Sequence, residues 1–326
     1  MQWSATVERE LGADTGLRIT YTGLRSVGLL VNPDLNTVPV NTTGYNPANK
    51  PFPNFRIIYQ TANGGEAFYN ALETVLTHRF SKGLTLQSAY VFAKNLSDAE
   101  GSGANLNGGF AQENGPFIAD RFNIRYDYGD VSYTRRNRWQ TTYVYQIPFG
   151  KGQQFGGDMP TVLNAIIGNW QTSGILLLQS GPYLTPYYFA TPSTDPSGTG
   201  LFFKDPGARP DRVCNGNISN PTASQYFDPA CFVIPSTGLG RFGNAGVGIL
   251  KGPGTVVWST GIAKVFPIQE RFKLRFEATA TNVLNHANLG IPNMNVENST
   301  FGQIFNVQNV EGAGARTLQL ALRLDF

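Results

Sequence analysis

The last ten residues read Thr317-Leu318-Gln319-Leu320-Ala321-Leu322-Arg323-Leu324-Asp325-Phe326. Leu318, Leu320, Leu322, Leu324 and Phe326 alternate with Gln319, Ala321, Arg323 and Asp325, and successive side chains of an extended chain point to opposite faces. One face of this strand is therefore wholly apolar and the other mostly polar. In water the apolar face needs a sheet or helix packed over it. In a barrel that spans an outer membrane it meets lipid, and the polar face meets the lumen.

The same period recurs upstream. Over 271 to 284, Phe272, Leu274, Phe276, Ala278 and Ala280 alternate with Arg271, Lys273, Arg275, Glu277 and Thr279. Over 139 to 149, Trp139, Tyr143, Tyr145, Ile147 and Phe149 share a face opposite Gln140, Thr142 and Gln146, with aromatics near both ends, as at the girdles of a membrane barrel. Further strands are predicted over 3 to 11, 16 to 22, 67 to 80, 84 to 95, 170 to 180 and 255 to 266; the last carries Lys264 on its otherwise apolar face.

The connections alternate in length. Gly12-Ala13-Asp14-Thr15, Ser81-Lys82-Gly83 and Ile268-Gln269-Glu270 read as tight turns, whereas 24 to 66, 96 to 136, 183 to 253 and 286 to 313 are long polar loops, and 150 to 168 is intermediate. Short turns on one side and long loops on the other describe a barrel with periplasmic turns and extracellular loops. Composition agrees. Charged residues make up 14% of the 326, against about 25% in soluble domains, and the 37 Gly, 22 Phe and 14 Tyr favour strands joined by turns rather than helices. The net charge of +3 is scattered, which excludes a nucleic-acid binder. There is no apolar run of the ~18 residues a transmembrane helix needs.

The segment Met1-Gln2-Trp3-Ser4-Ala5-Thr6-Val7-Glu8 has no basic stretch followed by an apolar one, so no signal peptide is read there. Bacterial single-chain barrels have even strand numbers, and an open edge in lipid would leave backbone groups unpaired. The expectation is thus a partial, all-β, antiparallel transmembrane barrel of about nine long strands belonging to a larger barrel.

In order along the chain, seven stretches carry a resemblance: Gln2-Trp3 through Glu8-Arg9-Glu10-Leu11; Tyr69-Asn70-Ala71-Leu72 with Arg79-Phe80-Ser81-Lys82-Gly83-Leu84; Tyr143-Val144-Tyr145-Gln146-Ile147-Pro148-Phe149-Gly150-Lys151-Gly152; Trp170-Gln171-Thr172-Ser173-Gly174-Ile175 with Gln179-Ser180-Gly181; Phe242-Gly243-Asn244-Ala245-Gly246; Asn282-Val283-Leu284-Asn285-His286-Ala287-Asn288; and Phe326. Together they resemble the C-terminal barrel portion of Oar-like TonB-dependent receptors. The resemblance implies a cell outer-membrane location and a plugged barrel of roughly 22 strands. It implies TonB-coupled uptake of a bulky nutrient, with 1–326 as the C-terminal barrel segment and the plug, regulatory-like domain and signal peptide absent from it. Implied partners are outer-membrane lipid, the missing N-terminal plug and barrel half, the TonB complex in the full-length protein, and the barrel-assembly machinery. The last would read the strand Leu318, Leu320, Leu322, Leu324, Phe326. The alternative is a secreted soluble all-β protein that binds carbohydrate or peptide.

Enzyme chemistry finds no footing. His78 and His286 lie far apart, Gly101-Ser102-Gly103-Ala104-Asn105-Leu106-Asn107-Gly108-Gly109 lacks a P-loop ending, and Gly-x-Ser-x-Gly is absent. Asp98, Glu100, Asp127 and Asp130 lie on loops, without the fixed separation that glycoside hydrolysis requires. No cofactor or metal is expected. Cys214 and Cys231, in a loop with no histidine nearby, form an even pair suited to a disulfide in an oxidising compartment or to two free thiols. The loop aromatics Tyr183, Tyr187, Tyr188, Phe189, Phe202 and Phe203 are candidates for stacking on a ligand, or for packing the loop on itself.

Overall fold

Period-2 alternation becomes an antiparallel meander in the computed structural model, which describes residues 1–81, 83–99, 118–200, 208–268 and 272–326. Nine long strands follow one another in it: β1 (Gln2–Gly12), β2 (Thr15–Val31), β3 (Ala62–Ser81), β4 (Leu84–Ser97), β5 (Asn137–Gln146), β6 (Gln171–Gln179), β7 (Thr255–Pro267), β8 (Lys273–Thr281) and β9 (Thr317–Asp325). Each pairs with its neighbours in sequence, and Gly129–Asp130 adds a short rung to β4. Among the described residues β1 and β9 are the free edges, so the sheet is open.

Register carries the terminal pattern across the whole sheet. Leu322 faces Phe276, Phe276 faces Lys264, Trp258 faces Leu176, and Leu178 faces Trp139. Trp139 then faces Tyr90, Phe92 faces Leu72, Leu72 faces Tyr21, and Ile19 faces Val7. Directly opposed residues share a face, so one apolar face runs continuously from β1 to β9. Its C-terminal end stays bare: Leu320 is 74% exposed and Leu322 67%. The opposite face carries Glu8, Arg18, Glu73, Gln87, Gln140, Gln171, Glu277 and Arg323.

Several polar side chains on the apolar face satisfy one another. Ser88 and Thr141 hydroxyls meet at 2.8 Å, and Trp139 Nε1 donates to Ser88 at 2.7 Å. Tyr143 meets Thr260 at 2.8 Å, while Tyr21 and Tyr90 donate to Asn70 and Asn137. A hydroxyl with no water to bond needs such partners. Glycines on this face lie beneath aromatics. Trp3 covers its cross-strand partner Gly23, where a Cβ would come within 2.2 Å of the indole, and Tyr143 covers Gly174 in the same way.

Several expectations need correction. The second strand does not stop at 22 but runs on to Val31, past a register shift at Gly28, whose φ of 69° requires glycine. The stretch expected to be extended over 271 to 284 stops at Thr281, because Asn282 turns the chain with a φ of 47° and its side-chain amide donates to the carbonyls of His286 and Gly314. The strand over 139 to 149 ends at Gln146. A helix, α1 (Thr161–Ile167), occupies the intermediate connection, where composition suggests none.

Candidate functional site: the long-connection assembly

The four long connections, 32 to 61, 98 to 136, 180 to 254 and 282 to 316, all leave the same end of the sheet. Their apolar residues form a core of their own. Leu184, Phe227, Cys231, Phe232, Leu250, Met294 and Phe301 are buried together, drawing residues from the third and fourth connections. Phe227 sits 4.8 Å from Phe301 and 6.1 Å from Phe232, ring edge to ring face. Two-residue ladders, Tyr183–Leu184 with Leu250–Lys251 and Asp211–Arg212 with Phe232–Val233, fold the third connection on itself. The sulfurs of Cys214 and Cys231 are bonded beside this core. Asp228 lies near them, but disulfide sulfurs are not the thiolates that a metal needs.

A second knot is ionic. Arg209 and Asp127 are both withdrawn from solvent, with Nη1 2.7 Å from the carboxylate. Arg209 also donates to the carbonyls of Ala245 and Tyr126, and its guanidinium lies 3.7 Å from the Tyr126 ring centre. The second Asp127 oxygen accepts from Ala119 N at 2.8 Å. Each guanidinium nitrogen and both carboxylate oxygens thus have a partner, which is what a buried ion pair requires. Tyr126, stacked on Phe242, has its hydroxyl pushed up to about 12 by burial and donates to Gly243 O. Near the surface, Arg241 grips Asp211 through both nitrogens at 2.7 and 2.8 Å, and that bond holds the carboxyl below its usual range.

The candidate aromatics are distributed as follows. Tyr183 is buried, accepting from Arg136 Nε at 2.5 Å. Tyr187 packs on the Leu184–Phe227 cluster. Tyr188 is fully buried with Ala208 and Phe242, donates to Thr194 O, and has its ionisation pushed up by burial. Phe189 remains 43% exposed, edge-on to Tyr187 at 5.6 Å. Phe202 and Phe203 lie outside the described residues, as do Glu100 and the glycine-rich stretch 101 to 109. Of the remaining loop carboxylates, Asp98 accepts from Glu66 N at 2.6 Å and Asp130 pairs with Arg136 at 2.8 Å. Beside that pair, a cavity of about 720 Å³ is lined by Phe92, Arg136, Tyr183, Arg212 and Lys251. Its three cations against one carboxylate suit an anionic group.

Sequence reasoning missed the Arg209–Asp127 knot. The two residues stand 82 positions apart, and no local pattern links them.

A continuous apolar face with long connections gathered at one end is the geometry of a sheet standing in a membrane. A model of the outer membrane beta barrel domain matches residues 1–319. The chain belongs to this family. It is an outer-membrane protein, and the soluble all-β alternative, which would have had to cover the Leu318 face, gives way. No curated protein matches the sequence. Among solved structures, the outer membrane transporter YddB from Escherichia coli is similar at 11% identity and a TM-score of 0.49, with 100% of this chain and 32% of that one covered. FpvA of P. aeruginosa, bound to a heterologous pyoverdine, is similar at 10% identity and a TM-score of 0.45, with 100% and 27% covered. The barrel domain thus spans between a quarter and a third of the length of these structures.

Proposed function

We propose that this barrel domain is the C-terminal barrel segment of a receptor-transporter that takes up a bulky nutrient by TonB-coupled transport, of the Oar-like kind. The observation that carries the reading is the loop assembly, which has its own apolar core, disulfide and buried ion pair at the end of a lipid-facing sheet. A simple anchor has no need of that much ordered loop. In this reading the long connections face the outside, the short turns face the periplasm, and plug and remaining strands close the barrel against β1 and β9. Backbone groups on those edges would otherwise stand unpaired in hydrocarbon at several kcal/mol each. The strand Leu318 to Phe326 is the element that the barrel-assembly machinery recognises. Cys214 and Cys231 keep the loop assembly folded, and Phe189 is the loop aromatic placed to meet a ligand.

Intact cells of the source organism, with and without the gene, test this. Uptake of a panel of ferric siderophores, oligosaccharides and peptides should include at least one compound whose accumulation is lost on deletion and abolished by a protonophore. Accumulation that depends on the gene but survives the protonophore would overturn the TonB coupling. No gene-dependent uptake across the panel would count against transport.

A further inference from the structure

Two features stand apart in this sheet: Lys264 on the apolar face, and the connection between β5 and β6, longer than the other turns at its end. They meet in space. Lys264 is 4% exposed, and its ammonium donates to the carbonyls of Asn164, at 2.9 Å, in the last turn of α1, and of Gly168, the residue that caps it. The negative end of a helix favours a cation there. The rings of Trp170 and Phe266 flank the same ammonium at 5.5 and 5.2 Å. Trp170 in turn stands edge-on to Phe276, which faces Leu322 on the apolar face. The helix is therefore pinned over the apolar side of the sheet, not its polar side.

Seven residues are too few for a helix to persist alone, and α1 is held from three directions besides Lys264. Lys151 N donates to Asn164 Oδ1 at 2.8 Å, Lys151 Nζ donates to Thr161 Oγ1 at 3.1 Å, and Trp170 Nε1 donates to Ile166 O at 2.9 Å. What the helix does with this rigidity is to turn its aliphatic residues away from the protein. Val162, Leu163, Ile166 and Ile167 share one helical face by spacing, yet they are 75%, 44%, 62% and 42% exposed. Phe149 and Phe155, bridged to each other in the same connection, are exposed as well, at 37% and 54%. A soluble surface does not hold four aliphatic residues out with this many polar ties.

We infer that α1 is an interfacial anchor that lies in the membrane leaflet at the short-turn end, with Val162, Leu163, Ile166 and Ile167 among the upper acyl chains. The occupant is lipid because the patch continues, through Trp170 and Phe276, the face along which the barrel meets the bilayer. Lys151 sits where its charge reaches the headgroups, as lysines beside interfacial helices do. The inference rests on the apolar face being the lipid face, and the test separates the two.

The described cysteines are both in the disulfide, so single cysteines at Ile166, Leu320 and Thr142 can carry an environment-sensitive fluorophore. The full-length protein, with the plug and remaining strands that close the barrel, is reconstituted in phosphatidylethanolamine–phosphatidylglycerol vesicles with a spin-labelled acyl chain whose quencher sits roughly 5–10 Å below the headgroups. Quenching at Ile166 comparable to that at Leu320, with none at Thr142, is expected. Quenching at Leu320 alone leaves the lipid face standing and overturns the anchor. A blue-shifted but unquenched label at Ile166 means that protein covers the helix, and overturns it too. Quenching at neither site removes the lipid face and the anchor with it. Lys264→Met should lower the Ile166 signal without changing Leu320; an unchanged Ile166 signal would refute the role of Lys264 in seating the helix.

Discussion

Arg209 keeps a full charge where no water reaches it, and the cost is borne by Asp127, two carbonyls and the Tyr126 ring. Removing one partner leaves the other buried and unpaired. Arg209→Met should therefore loosen the loop assembly by ~3–5 kcal/mol, seen as a lower urea concentration for protease cleavage within 180 to 254. Arg209→Met combined with Asp127→Leu should recover much of that loss, since no lone charge remains. Asp211 answers to pH instead. Its carboxyl is held below the usual range by Arg241, so its stabilisation is present above the unfolded pKa of about 3.9 and is lost as pH falls through the lower folded value. Pepsin should open the loops increasingly as pH drops below about 4, and Asp211→Asn should flatten that dependence. Arg241 is 47% exposed, so the effect is modest and salt-sensitive.

Strands were legible where one face differs from the other. The alternation in β9, β8 and β5 located those elements within a few residues, and the face assignment made from Leu318 to Leu324 passes by register to all nine. Legibility failed where side chains stop reporting the face. Gly23 and Gly28 hid the upper half of β2, whereas β6 was located within a residue at each end even though Leu177 breaks its alternation by packing against Val257 and Ala313 on the polar side. Helix α1 was missed because barely two turns, interrupted by Asn164, give too little period to see. The loop core was invisible for another reason, since its contacts join residues such as Phe227 and Phe301 that share no local pattern. Because the face assignment is a register property, it can be probed by charge. Leu320→Arg should destabilise the full-length barrel in lipid vesicles by ~2–4 kcal/mol, as an arginine near the bilayer midplane does, whereas Gln319→Arg on the opposite face should be close to neutral in the same urea titration.

At the scale of the molecule there are two bodies of different make: a sheet whose side chains face outward to lipid, and a loop assembly with an inward core. They should open separately. Cys214→Ser with Cys231→Ser is expected to lower the stability of the loop assembly by ~3 kcal/mol through the freed chain, visible as earlier loss of near-ultraviolet signal on heating, with the strand signal melting at an unchanged temperature. The shared core has a further outcome. Leu184 and Leu250 on one connection are sealed by Met294 and Phe301 on another, so neither can be swapped for a relative's loop without uncovering the other. Under the proposed receptor role, a new ligand preference would have to be transplanted as a matched set of loops, and a chimera carrying 180–254 alone should aggregate or be degraded where one carrying 180–254 together with 282–316 survives.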